Sequence, residues 1–289
     1  MKKVISLILC VLMLGSCMAF ADAIEGSRTV IGADLDADDI AYVYKEFGIS
    51  RGDVKELTVT NAEEREYLNG VVDESLIGTK SISCVYIEAL DEGKGLDVQV
   101  KNITWCTPDM YMNAMVTAGI TDANVRIVAP FDVSGTAALT GIYKAYEDIT
   151  GKKLDEDAKL VGTKELTVTA ELAEEIGSTD SAAIVNQLKL ILDETKDMTD
   201  DELREEIKKI AEEYDVNLTD SQIDSLISLC RSMEKLDTAA LKEKVEQVQK
   251  YLKDIVSKQG EIKQFLSSVA DTVTEFVNKV VSFIRGIFG

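Results

Sequence analysis

The spacing of hydrophobic residues changes near residue 181. Before it, short runs rich in β-branched residues, such as 54–60 and 124–129, alternate with segments of helical period, such as 134–149. From residue 181 onward, apolar residues recur at helical spacing and no proline interrupts them. We therefore expect an α+β protein, in which a mixed α/β N-terminal domain is followed by an all-helical C-terminal region.

The same pattern divides the chain into four predicted segments. Residues 1–21 have the pattern of a signal peptide, 22–180 form the α/β domain, 181–260 form a helical bundle region, and 261–289 form an amphipathic C-terminal helix. The apolar face of the last segment, over 262–288, is compatible with three arrangements. It can pack in a bundle, lie on a membrane or partner surface, or span a membrane.

Two predicted strands in the α/β domain are joined by a glycine-rich turn. Segments 81–90 and 96–105 flank the turn at 91–95, a pattern that predicts a β-hairpin. In a symmetric hairpin, Cys84 and Cys106 are offset by about 13 Å at ~3.3 Å per residue. A disulfide needs Cα atoms within about 7 Å. We therefore expect free thiols.

One hexapeptide, KELTVT, occurs twice in the chain. The copies span 55–60 and 164–169, and an acidic segment of helical character follows each of them. Identical sequence in matched surroundings predicts a duplicated strand–helix unit. The alternative is a chance match between two segments with similar capping residues.

Several helix starts can be recognised from capping residues. Capping-box spacing places a threonine three residues before a glutamate or glutamine at three positions: Thr60 with Glu63, Thr199 with Glu202, and Thr219 with Gln222. Thr107 followed by Pro108 predicts a further helix, which extends to Ala118.

The charge balance excludes several classes of function. The chain has 52 acidic and 31 basic residues, a formal charge of −21, and no histidine. Histidine-based triads, histidine-ligated zinc or haem, and histidine pH switches are therefore impossible. Nucleic-acid binding is not expected, because it depends on clustered positive charge. We predict no cofactor and no metal site. A calcium-binding EF-hand loop that began at Asp34 would need glycine and glutamate where the chain has Asp39 and Lys45.

The first residues predict export from the cytoplasm. Lys2 and Lys3 precede the apolar run 4–14, which is shorter than the ~20 residues of a membrane-spanning helix. Two processing sites are possible. Ala19 and Ala21, which flank Phe20, fit an A-x-A cleavage site. Residues 14–17 instead fit a lipobox that would lead to lipidation of Cys17. Both predict a secreted or envelope-associated protein outside the cytoplasmic membrane.

Four residues are candidates for ligand binding: Lys80, Trp105, Ser134 and Thr136. Ser134 and Thr136 stand at a predicted helix start, where backbone N–H groups can hold an anion. Trp105 is the only tryptophan and can line a groove, and Lys80 follows a short glycine turn. Each residue also has an ordinary structural interpretation, namely helix capping, core packing or turn formation.

Three segments of the α/β domain resemble a known family. They are 77–88, 102–111 and 129–141, and the similarity extends from about residue 29 to residue 177. Together they resemble the YpuA-like extracytoplasmic proteins of Gram-positive bacteria, whose domain has no known function. The resemblance implies a signal peptide, an extracytoplasmic location and a related architecture, but it implies no chemistry.

Two hypotheses of function follow. The first is an extracytoplasmic binding or structural protein, with a protein or cell-envelope component as partner and possible membrane contact through 262–288. The second is a histidine-free envelope hydrolase acting on a glycan or peptide. The second requires Lys80 or a pair of carboxylates to converge on Ser134 or Thr136, in a pocket near Trp105.

Overall fold

The computed structural model describes residues 26–68 and 77–250. The chain divides into two compact units, residues 1–246 and 247–289. The second unit is described only at 247–250, where it is helical.

Some predictions fall outside the described residues. These are the signal peptide at 1–21 with its alternative lipidation site at Cys17, and the amphipathic segment at 261–289. Within the described part of the chain, no helix has both the length and the hydrophobicity needed to cross a membrane.

The described chain contains five strands and a larger number of helices. The strands are β1 Ser27–Gly32, β2 Lys55–Val59, β3 Cys84–Ala89, β4 Leu96–Ile103 and β5 Ala123–Val133. The first helices are α1 Ala37–Phe47, α2 Asn61–Leu68, α3 Pro108–Thr117, α4 Thr136–Thr150 and α5 Glu156–Ile176. The remaining helices are α6 Ser178–Leu190, α7 Leu192–Thr195, α8 Asp200–Glu213 and α9 Asp220–Met233, and residues 238–250 are also helical. The predicted α+β class with a helical C-terminal region is confirmed.

The strands form one mixed sheet in the order β2-β1-β3-β5-β4. β1 pairs with β2 in parallel and with β3 in antiparallel orientation. β5 pairs with β3 in antiparallel and with β4 in parallel orientation. The central position of β5 fits its sequence, because alternate residues from Ala123 to Ala129 are fully buried.

Helices cover both faces of the sheet. Ile31 and Cys84 pack with Val43 and Phe47 of α1 in one apolar cluster. Their neighbours Val30 and Val85 point to the opposite face, because side chains alternate along a strand. On that face, α4 approaches so closely that a Cβ at Gly141 would lie 3.3 Å from a methyl carbon of Val30 and 3.5 Å from one of Val85.

The predicted hairpin between 81–90 and 96–105 is wrong. A turn does form at 91–95, where the N–H of Lys94 donates to the carbonyl of Asp91 at 3.2 Å. However, β5 lies between the two strands and pairs with both of them. The physical reason is that a buried central strand can form hydrogen-bonded ladders along both of its edges. The prediction of free thiols is confirmed, although its geometric basis was incorrect.

The predicted duplication of the KELTVT unit is also wrong. The first copy forms β2 at the edge of the sheet, whereas the second lies within the 21-residue helix α5. The side chain of Asp155 caps this helix by accepting from the N–H of Ala158 at 2.8 Å. Tertiary packing therefore decides the conformation of this hexapeptide and overrides its strand propensity.

The capping predictions are confirmed at all three positions. In each case the threonine N–H donates to the glutamate or glutamine side chain, at 2.7–2.8 Å. The reciprocal bond, from the backbone N–H of the third helical residue to the threonine hydroxyl, is 3.2–3.3 Å long. The predicted helix at Pro108 is confirmed as α3, with Thr107 at its N-cap position.

The second KELTVT copy contributes a buried ion pair to the helical layer. Glu165 of α5 and Lys189 of α6 are both fully buried, and their charged atoms lie 2.5 Å apart. The hydroxyl of Thr117 donates to the other Glu165 oxygen at 2.5 Å, and Lys189 donates to the carbonyl of Asn113 at 2.9 Å. The pair therefore joins α3, α5 and α6.

This arrangement predicts a large loss of stability for Lys189→Ala. The substitution leaves the Glu165 carboxylate buried without a counter-charge, which costs about 3–5 kcal/mol of unfolding free energy. Urea unfolding of the purified protein measures the loss. The control is Lys209→Ala, which removes an exposed ion pair with Glu206 and should cost less than about 1 kcal/mol. Equal effects of the two substitutions would contradict the predicted role of the ion pair.

Candidate functional site

Three of the four candidate residues line one small cavity at the start of α4. Lys80, Ser134 and Thr136 surround it together with Glu64 and Ser83, and its volume is about 50 Å³. Lys80 and Ser83 belong to the segment that leads into β3, and Glu64 belongs to α2. The structure therefore brings three of the predicted residues together, beside Glu64 and Ser83, which the sequence did not indicate.

The loop 133–135 is held in place by the residues that follow β4. The N–H of Thr104 donates to the carbonyl of Val133 at 2.9 Å, and the N–H of Cys106 donates to the carbonyl of Ser134 at 3.2 Å. The hydroxyl of the buried Tyr111 donates to the carbonyl of Gly135 at 2.6 Å. These bonds fix the entry of the chain into α4.

Gly135 is the N-cap residue of α4, and its position has no room for a side chain. Its φ of 97° lies in the left-handed region. A Cβ at this position would approach Ile103 and the hydroxyl of Tyr111 to 2.5 Å. No side chain caps the first turn of α4, so the earliest N–H groups of the helix are left to other partners.

The segment before β3 is attached to two neighbouring elements. The N–H of Ser81 donates to Asp34 at 2.7 Å. The guanidinium of Arg65 in α2 donates to the carbonyl of Gly78 at 2.7 Å. These contacts hold Lys80 and Ser83 beside the start of α4.

Glu64 is the buried carboxyl group of the site. The hydroxyl of Thr136 donates to its Oε1 at 2.5 Å, and the amide of Asn61 donates to its Oε2 at 3.4 Å. Glu64 is only 1% exposed and Thr136 only 4%. Burial raises the pKa of Glu64 to about 7, and the hydrogen bonds from Thr136 and Asn61 only partly oppose this rise. The carboxyl group therefore exchanges its proton near neutral pH.

The two hydroxyl groups of the Ser134–Thr136 segment have different environments. The Ser134 hydroxyl lies 3.5 Å from that of Thr136, whereas the Thr136 hydroxyl is bonded to Glu64. Within residues 26–68 and 77–250, Lys80 forms no ion pair and is exposed at the mouth of the cavity.

Trp105 lies next to the cavity but does not line it. Its ring packs against Leu68 and Ile77, and Ile77 also contributes to the cavity wall. Its indole N–H donates to Glu174 of α5 at 2.6 Å. Trp105 therefore joins the segment before β3 to α5.

A weak sequence signal could have revealed Glu64. The acidic segment that begins at Asn61 has the composition of a solvated helix, yet Glu64 lies four residues before the buried Leu68 and so shares its face. No comparable signal identifies Ser83. In the described part of the chain, no group of three or more acidic or cysteine side chains could hold a metal ion.

Comparison with known proteins places the chain in a family without an assigned activity. The family model described as "Protein of unknown function (DUF1002)" matches residues 31–251, and the chain belongs to this family. One relative, "Uncharacterized protein YpuA" of Bacillus subtilis (strain 168), is 36% identical over 275 residues, which is 93% of each chain. The resemblance recognised from the sequence is therefore confirmed. No solved structure matches the chain.

The protonation of Glu64 predicts a pH-dependent change in stability. A carboxyl group whose pKa is raised on folding holds its proton longer in the native state, so unfolding becomes easier as the pH rises from about 4.3 to 7. Above about pH 8 the loss is complete, at roughly 3–4 kcal/mol. Glu64→Gln should remove this loss, so the variant gains stability relative to the unmodified protein between pH 5 and pH 8. Urea unfolding across this range measures the difference.

Glu63→Gln provides the matched control on the same helix. Burial raises the pKa of Glu63, but hydrogen bonds from Lys144 and Thr60 outweigh it, so that the net shift is downward. Its stabilising contribution is therefore complete above about pH 4.3 and is lost only at lower pH. The stability difference for Glu63→Gln should stay constant between pH 5 and pH 8. A constant difference for Glu64→Gln as well would contradict the elevated pKa.

Proposed function

We propose that this protein is an extracytoplasmic, envelope-associated binding protein that contacts its ligand through the cavity at the start of α4. The observation that carries the proposal is the convergence of Lys80, Ser134 and Thr136 on that cavity, next to the buried Glu64. Export is supported by the basic and apolar pattern of the first residues.

The chemistry of the cavity favours binding over turnover. Thr136 is bonded to Glu64 and is almost fully buried, so a polymer backbone has no direct access to its hydroxyl. The volume of about 50 Å³ admits one small polar group but no sugar ring. The cavity is much smaller than the roughly 300–1,000 Å³ of a pocket that encloses a whole small molecule, so it can hold only the end of a ligand while the rest lies on the surrounding surface.

Retention on the cell envelope tests this function. The chain recovered from the producing cells should sediment with their isolated envelopes. Lys80→Glu should reduce the sedimented fraction several-fold, because it reverses the exposed charge at the mouth of the cavity. The matched control is Lys94→Glu, which makes the same charge change in the turn at the opposite end of β3 and should have no effect. Equal loss for the two variants would contradict a ligand site at this cavity.

The protein recovered from the producing cells also tests where it is located. We expect mass spectrometry to find a mature N-terminus at Asp22 or a lipid-modified Cys17. A chain that retains residues 1–21 and is recovered only from the cytoplasm would contradict export.

One observation favours the hydrolase as a second candidate. The Thr136 hydroxyl and the Glu64 carboxyl have the spacing of a nucleophile and its general base, and burial holds the pKa of Glu64 at about 7. Release of new amino groups or reducing ends from purified envelope polymer tests this function. A hydrolase would release them and lose this activity in Thr136→Val, whereas a binding protein releases none.

A further inference from the structure

The cavity at the start of α4 has hydrogen-bond donors without partners. Ser83 lines it and is only 2% exposed. Among residues 26–68 and 77–250, the Ser83 hydroxyl has no hydrogen-bond partner. This hydroxyl group is therefore available to form a hydrogen bond with a ligand bound in the cavity.

The first turn of α4 adds further donors to the same space. Thr136 and Ala137 open this 15-residue helix and line the cavity. Their backbone N–H groups precede the first intrahelical bond, in which Ala138 donates to the carbonyl of Gly135. The positive end of the helix dipole lies at these groups and favours a negative charge.

The charge and the size of the cavity restrict the ligand. Lys80 places an exposed ammonium group at the mouth, so the electrostatic preference is for an anion that enters from that side. A volume of about 50 Å³ exceeds the roughly 10–15 Å³ that a cavity needs to hold one water molecule. A carboxylate carries one negative charge and a phosphate nearly two, so the neighbouring Glu64 repels a carboxylate less.

The protonation state of Glu64 determines how well the cavity can accept an anion. When protonated, Glu64 is a neutral donor at the inner wall of the cavity. When ionised, it repels a second carboxylate at close range, as in other pairs of carboxyl groups that share a site. Because burial raises its pKa to about 7, the protonated form predominates below neutral pH.

Two other titratable groups face Glu64, and both have pKa values far above neutral pH. Cys106 and Tyr111 face it from the loop after β4 and from α3, and burial raises the pKa of Cys106 to about 12 and that of Tyr111 well above 10. Arg65 of α2 and Lys80 are the basic side chains near Glu64, and Thr136 of α4 has no titratable group. Glu64 is therefore the group whose ionisation changes the cavity near pH 7.

We propose that the cavity binds a carboxylate group of the ligand, held by the N–H groups of Thr136 and Ala137, the hydroxyl of Ser83 and the ammonium of Lys80. The carboxylate belongs to a chain end or to a small free acid, and the remainder of the ligand lies outside, beyond Lys80. This inference rests on the proposed binding function and specifies the chemical class of the ligand.

Calorimetric titration with four probes tests the proposal. The probes are N-acetyl-dialanine with a free carboxylate, the same peptide as its C-terminal amide, acetate, and inorganic phosphate. At pH 6, the free-acid peptide should bind at least tenfold more tightly than the amide. Stronger binding of the peptide than of acetate assigns the site to a chain end, and equal binding assigns it to small free acids. Phosphate as the tightest ligand, or equal binding of acid and amide, would overturn the proposal.

The pH dependence provides a second and independent test. Binding of the free-acid peptide should weaken about tenfold between pH 6 and pH 8, because the protonated fraction of a group with a pKa of 7 falls about tenfold over that range. Glu64→Gln, which keeps a neutral side chain there, should bind with equal affinity at both pH values. If the unmodified protein bound the free-acid peptide equally well at pH 6 and pH 8, the proposed role of Glu64 would be overturned.

Two single substitutions test the hydroxyl of Ser83 and the ammonium of Lys80 as ligand contacts. Ser83→Ala and Lys80→Met should each weaken binding of the free-acid peptide several-fold, whereas Lys94→Met, at the other end of β3, should not. Urea unfolding of each variant confirms that it is folded. If the protein is retained on envelopes through Lys80 but no carboxylate probe binds, only this inference fails. If retention is also absent, the proposed function fails.

Discussion

The hydrogen bond from Thr136 to Glu64 is the interaction on which the account of this site depends. It places a carboxyl group against the first turn of α4, where the helix N–H groups have no capping side chain. Because both residues are almost fully buried, water does not compensate the charge of an ionised Glu64. The low polarity of the surroundings therefore turns an ordinary glutamate into a group that titrates near neutral pH.

The sheet topology brings the parts of the cavity together. β5 lies between β3 and β4, so its C-terminal end is adjacent to the beginning of β3 and to the end of β4. Ser83 and Lys80 precede β3, and Ser134 and Thr136 follow β5. A simple hairpin of β3 and β4 would not have placed these two segments side by side. The position of one central strand thus brings the segments that line the cavity together.

Local signals in the sequence predicted the elements more reliably than their pairing. Capping boxes at Thr60, Thr199 and Thr219 depend on residues three positions apart, and the structure contains all of them. The pairing of β5 with both β3 and β4 depends on contacts between distant residues, which no local pattern contains. The prediction that the two KELTVT copies form equivalent units was wrong for the same reason. The conformation of each copy depends on its packing partners, such as Lys189 for the second copy.

The candidate site was predictable only in part. Ser134 and Thr136 stood out because a helix start offers free N–H groups, and Lys80 stood out beside a glycine turn. Glu64 did not, because an acidic residue in an acidic helix is normally solvated, and only tertiary packing buries it. The most direct test is a ¹³C NMR titration of the Glu64 carboxyl carbon, with and without N-acetyl-dialanine. We predict a midpoint near pH 7 in the free protein and a higher one with the peptide bound. A midpoint near 4.3 that the peptide does not change would contradict the account.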